Sequence, residues 1–292
     1  MASIGAAPAA HHSRAVRLLF PAGLATGLAV GLLAASGPAS AEGTGSETLA
    51  EPASVTDVLD RDLYLPFNRL DNLPVIDETF GSADVLVTVS AAEGGEVLPG
   101  PDRSGSGHSL RLEPFQPDQT ARPAVVVVEA AESDDPTDPG WGGFAFGAEF
   151  VLDEVGGVSP TDNGDNLVQR GLVGEGAQYK IQVDDAHPSC RISGSQGVVT
   201  VRATERVERG EWYRVRCRRV GDEVTLRLVT SFGEGKEVSE YVGHGATGAL
   251  SYGQGDGLFS IGGKVDEDGD VVASDSDQFN GLVDDVVFRR IS

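Results

Sequence analysis

The last third of the chain alternates short apolar runs with Gly- and Asp-bearing turns. That spacing leaves room for strands and almost none for helices. From Arg209 to Val229 the sequence reads RGEWYRVRCRRVGDEVTLRLV. Gly210-Glu211-Trp212 enters a strand, Val220-Gly221-Asp222 turns it, and Val224, Leu226 and Leu228 alternate on the return. Two β-runs joined by a short Gly/Asp turn predict a hairpin. A closing block from Phe259 to Arg290 extends the pattern, with Leu282, Asp284, Val286 and Phe288 expected on one side of the pleat.

Similar alternation starts at Asp84 and recurs at 109–112, 124–129, 144–152, 166–170, 178–183, 189–193, 198–203, 236–244 and 258–261. Turn residues punctuate these runs closely, as a two-sheet sandwich requires. Leu63 to Pro74, with Pro66, Asn68 and Asn72, reads as irregular. The 292 residues show no internal repeat. A single all-β domain of this size buries a substantial core.

The first forty-one residues read as an export signal. Arg14 and Arg17 form a positive start, Leu18 to Ala35 is apolar, and Ala39-Ser40-Ala41 offers a cleavage site before Glu42. No twin-arginine pair precedes the apolar run, and no hydrophobic tail or sorting signal stands at Ser292. The expectation is a Sec-exported, secreted product cleaved after Ala41, with retention as a membrane anchor the alternative. The layout expected is a signal segment (1–41), a flexible lead-in (42–76) and a β-sandwich (77–292). The formal charge of −23 deepens when Arg14 and Arg17 are removed. Such a charge repels nucleic-acid phosphates and suits a soluble exterior.

Three segments resemble one known family. They are the G-x-W-x-x-V hairpin at Gly210 to Val215, the Ile261-Gly262-Gly263 strand, and the closing F-x-G-x-V-D-D-V strand from Phe279 to Val286. Leu167 to Gly171 followed by Tyr179 to Val183 adds a fourth match. Together they resemble the laminin G-like modules of the concanavalin A-like lectin/glucanase superfamily, over about Phe144 to Arg290. The resemblance implies a jelly-roll sandwich of two antiparallel sheets and places Trp212 in the core at the hairpin base. It also implies an extracellular glycan or protein ligand, and Ca²⁺ as a cofactor of some members.

Cys190 and Cys217 both fall on predicted strands of an exported chain, which reads as one disulfide; two buried free thiols are the alternative. For calcium, which needs six to eight oxygen ligands, three places offer carboxylates. Asp266, Asp268 and Asp270 alternate in a Gly-bearing turn without the full EF-hand pattern. Asp162, Asn163, Asp165 and Asn166 form a polar cluster, and Asp284 lies in the family-matching strand.

Ligand contacts are expected from Trp141, in the Gly-rich stretch Pro139 to Gly143, and from Tyr252, as exposed rings for a sugar face, with Trp141 capping the core as the equal alternative. Arg214 and Arg216 share one face of a strand and suit an anionic group. The competing reading pairs those arginines with carboxylates on neighbouring strands. No strand carries the E-x-D-x-E spacing that sets two carboxylates together in retaining glucanases, and no histidine stands in a nucleophile motif. The function expected is a secreted, non-catalytic binding module. The alternatives are a degenerate carbohydrate-active enzyme and a structural cell-envelope adhesin module.

Overall fold

The computed structural model describes residues 61–291, apart from 78, 82–83, 113–121, 132–134, 154–164, 175, 231, 233–234, 253–256 and 273–276. The expected export signal lies outside the described residues, as do Asp162 and Asn163.

Among the described residues fifteen strands follow in chain order. The first five are β1 (Leu63–Leu65), β2 (Val85–Ala91), β3 (Leu98–Pro101), β4 (His108–Arg111) and β5 (Ala124–Ala130). The next five are β6 (Gly143–Leu152), β7 (Asp165–Arg170), β8 (Gln178–Asp184), β9 (His187–Gly194) and β10 (Gly197–Arg202). The last are β11 (Trp212–Val220), β12 (Glu223–Thr230), β13 (Glu237–His244), β14 (Phe259–Ile261) and β15 (Gly281–Ile291). One sheet has the order β13-β12-β11-β6-β15-β4-β3, with β1 added against β15; the other runs β10-β9-β8-β7-β14-β5-β2. All ladders between these strands are antiparallel. This is the expected all-β sandwich. No helix among the described residues is long and apolar enough to cross a membrane.

Period-two alternation explains the layering. Phe144, Phe146, Ala148 and Phe150 of β6 are buried and meet Tyr179 and Ile181 of β8 in one core. Phe144 and Phe146 stack at 5.7 Å, and Tyr179 tilts against Phe146 at 4.7 Å. Truncating one such ring costs about 3–5 kcal/mol. Cys190 of β9 and Cys217 of β11 form the disulfide, joining the two sheets through the core with Cα atoms 6.0 Å apart.

Three local expectations are corrected. Leu63, Leu65 and Phe67 are buried and Leu63–Leu65 pairs with β15, so ordered packing starts well before residue 77. Trp212 is half-buried on the outer side of β11, and its neighbour Tyr213 takes the core position. The closing strand also does not alternate regularly. A bulge between Asp284 and Val287 sends Val283 inward, leaves Asp284 outward, and brings Val286 and Phe288 back to the core. Asp285, at φ 48°, absorbs the extra residue in left-handed conformation. On the side away from β6, β15 pairs with β4 before the bulge and with β1 after it.

Candidate functional site

At one end of the sandwich, β11 points Tyr213, Val215, Cys217 and then Arg219 toward the interior. Arg219 is buried, its guanidinium carbon 4.9 Å from the centre of the Phe144 ring. It donates to Gly248 O at 2.9 Å and Thr247 Oγ1 at 3.3 Å on one side. On the other it donates to Gly140 O at 3.3 Å and to Gly142 O. Burial lowers its pKa. One buried cation thus ties together two segments by donating to carbonyls on both.

Trp141 stands between those two carbonyls. Its turn is closed by Gly142 N–H to Pro139 O, by Gly140 N–H to Asp138 Oδ1 and by Leu250 N–H to Gly140 O, each at 2.9 Å. The indole is 71% exposed on this anchored turn.

Tyr252 belongs to the same corner but does not offer an open ring. Arg170 covers its face with the guanidinium carbon 4.0 Å from the ring centre, and its edge meets Tyr179 at 6.3 Å. Its hydroxyl is buried without a partner, and burial raises its pKa. Arg170 in turn bonds Thr137 Oγ1 at 2.6 Å and pairs with Asp135 at 2.8 Å. Tyr252 is therefore a support beneath the corner, a correction to its expected exposure.

Arg214, Arg216 and Asp284 come together elsewhere, on the outer face of the eight-stranded sheet. Glu149 on β6 lies between Arg214 of β11 and Asp284 of β15 in a single cross-strand row. Its carboxylate, 2% exposed, accepts from Arg214 Nε at 2.8 Å and Arg103 Nε at 3.1 Å. Phe232 lies under both guanidiniums, at 4.0 Å from Arg103 and 5.6 Å from Arg214. The planar fork of Arg214 is thus engaged by Glu149, as the ion-pair reading required.

Arg216 crosses Gly147, where an added Cβ would meet Val215 O at 2.1 Å and Arg216 Cδ at 3.0 Å. Its donors go to Val215 O at 3.0 Å and Asp285 O at 3.2 Å. Burial first, and Arg214 second, lower its pKa to about 10.

Asp284 is 8% exposed. Burial, then the charges of Asp285, Glu149 and Asp102, push its pKa up to about 8, although the Asp285 N–H donates to it. It is a neutral acid at pH 7. Tyr64 donates to Asp285 Oδ1 at 2.5 Å.

Of the carboxylates expected for calcium, Asp266 has a structural role in its own turn. Asp266 Oδ1 accepts Asp268 N–H at 3.1 Å and Asp270 N–H at 3.0 Å, so it caps its own turn. Asn166 is buried between a lysine and an aspartate. No set of three or more His, Cys, Asp or Glu side chains among the described residues is placed to hold a metal ion.

Two residues escaped sequence reading. Glu149 was visible as the one charge in the Phe-rich run of β6, where inward phenylalanines leave it on the opposite face. Arg219 shares the parity of Val215 and Cys217, which signals a buried guanidinium.

Residues 156–291 match the family model for the laminin G domain. Over that stretch the chain is similar to laminin G domains. No protein of curated function matches the chain. Among solved structures, the LG1-3 region of the laminin alpha2 chain is 10% identical, with 74% of this chain and 33% of that one covered at a TM-score of 0.40. The binding domain of Paraclostridial Mosquitocidal Protein 1 is 10% identical, covering 81% and 50%, at 0.46. Domain 4 of AbnA, a GH43 extracellular arabinanase from Geobacillus stearothermophilus in complex with arabinotriose, is 10% identical, covering 80% and 94%, at 0.49. This chain spans a third to a half of the length of the first two. The two-sheet sandwich holds the Trp141 corner, the Glu149 row and the disulfide on one scaffold, and the matched stretch covers only the disulfide and part of the rest.

Proposed function

We propose that this is an exported, non-catalytic module that binds an extracellular glycan through the exposed ring of Trp141, without calcium. The observation carrying this reading is the open indole on a turn fixed by Arg219, Asp138 and Leu250. A pyranose presents an apolar C–H face that packs on an indole, and a preorganised ring loses little entropy on binding. The cross-sheet disulfide supports an oxidising location outside the cytoplasm. A glycan array probed with the full-length chain tests the reading. Binding to defined oligosaccharides, with a blue shift of tryptophan emission, supports it; an array without any bound glycan overturns it in favour of a protein ligand or a structural module.

One observation favours a second reading, a carbohydrate-cleaving activity. Glu149, gripped by two arginines, adjoins Asp284 on the next strand, and a carboxyl whose pKa burial raises to about 8 is what general-acid hydrolysis uses. Release of reducing ends by the wild type, abolished in Glu149→Gln, would establish it.

A further inference from the structure

The outer face of the seven-stranded sheet carries a second polar cluster, unconnected with Trp141. Asn166 of β7 and Lys180 of β8 lie on that face, since Asn166 is opposite Gln182 and Lys180 opposite Gln169. Asn166 is 1% exposed and Lys180 8% exposed. Lys180 Nζ is 3.2 Å from Asn166 Oδ1, and Asn166 Nδ2 is 3.2 Å from Asp277 Oδ1. Asp277 is itself buried, and its other oxygen pairs with Lys264. A parallel bridge between Asn166 and Gln278, with Asn166 N–H donating to Asp277 O at 3.1 Å, holds the Asp277 segment against β7. An amine, a carboxamide and a carboxylate are therefore in contact, in a line, away from water.

We propose that Lys180 and Asn166 form an intramolecular isopeptide bond, with Asp277 as the proton carrier. The Lys180 amine adds through its lone pair to Cγ of Asn166, forming the new C–N bond. Asp277 takes the proton shed by the attacking nitrogen and passes it to Nδ2. The Cγ–Nδ2 bond breaks and ammonia leaves. Amine and carboxamide become a secondary amide and ammonia, so the step balances without oxidant, reductant or activating group.

Three features favour it. The reacting groups are held together by the β7–β8 ladder, which replaces an encounter with a fixed geometry. Burial, with Arg191 and Lys264 adding to it against the pull of Asp277, lowers the Lys180 pKa to about 8, so the nucleophilic free amine is present near neutrality. Gln182, opposite Asn166, has a buried side-chain oxygen without a donor, a spare acceptor on the face where the new amide N–H forms. The product would staple adjacent strands of an exported sandwich by a bond that reducing agents leave intact.

Intact-mass measurement of the purified chain, with the disulfide reduced, tests the proposal. The wild type is expected to be lighter than its sequence mass by one ammonia. After trypsin, the bond following Lys180 stays uncut, and the fragment from Gly171 to Arg191 remains joined to the fragment that ends at Arg170 and carries Asn166. Lys180→Arg and Asn166→Ala are expected at their full sequence masses, and so is Asp277→Asn, which keeps both reacting groups. A wild type at full mass with trypsin cutting after Lys180 overturns the proposal, as does a cross-link that joins any other pair. The wild-type measurement decides the question even where a variant fails to fold.

Discussion

Glu149 and Arg214 face each other across β6 and β11, and Arg103 closes on the same carboxylate from the far side. Glu149 is buried and the two arginines are a third exposed. Removing the carboxylate leaves two guanidiniums crowded over Phe232, whereas removing Arg103 leaves a paired Glu149. Glu149→Ala is therefore expected to lose about 2–3 kcal/mol, reduced from the cost of a fully buried pair because water screens the arginines. Arg103→Ala should lose under about 1 kcal/mol. Urea unfolding of both variants measures the difference.

Asp284 gives the fold a pH dependence of definite sign. Its pKa rises from 3.8 to about 8 on folding. Between those values the unfolded chain releases a proton that the folded chain keeps, so this group lowers stability as pH climbs from about 4 to 8. Asp284→Asn cannot ionise and still accepts the Asp285 N–H. It should exceed the wild type by on the order of 2 kcal/mol at pH 8 and match it near pH 4. Unfolding curves at the two pH values check it.

The layered architecture was legible because period-two alternation and turn residues are local signals. β3 was not, since Leu98-Pro99-Gly100-Pro101 lacks β-formers; it is tolerated at the sheet edge, where missing amide donors cost little. β1 was hidden among prolines and asparagines because its pairing partner is β15, far along the chain. The bulge at Asp285 was equally invisible, and it alone decides that Val283 is inward and Asp284 outward. At the candidate site, the glycine neighbours of Trp141 allowed exposure or core capping alike, and the structure decides for exposure. The loss of Tyr252 to Arg170, and of the Arg214 fork to Glu149, depended on contacts between distant segments.

Calcium should not matter to folding. Asp266 is committed to its own turn and Asp284 carries a proton at neutral pH. Adding calcium in millimolar excess is expected to leave the thermal midpoint unchanged. A rise that disappears in Asp284→Ala would place a metal site at the bulge.

Arg219 should act on binding through the Trp141 turn. A lysine keeps the charge but cannot donate to carbonyls on both sides at once. Arg219→Lys is expected to lose about 1–3 kcal/mol of stability, from the charge-assisted hydrogen bonds it no longer makes, and to weaken glycan binding with it. Circular dichroism melts and titration with an array-selected glycan measure both effects.

The most direct measurement is calorimetric titration of an array-selected oligosaccharide into the wild type and Trp141→Ala. Because the indole is open to solvent and its turn is held by backbone contacts, the variant should melt with the wild type. Its affinity should fall at least tenfold, about 1.4 kcal/mol. Equal affinity in the two proteins would contradict the assignment of this corner as the ligand platform.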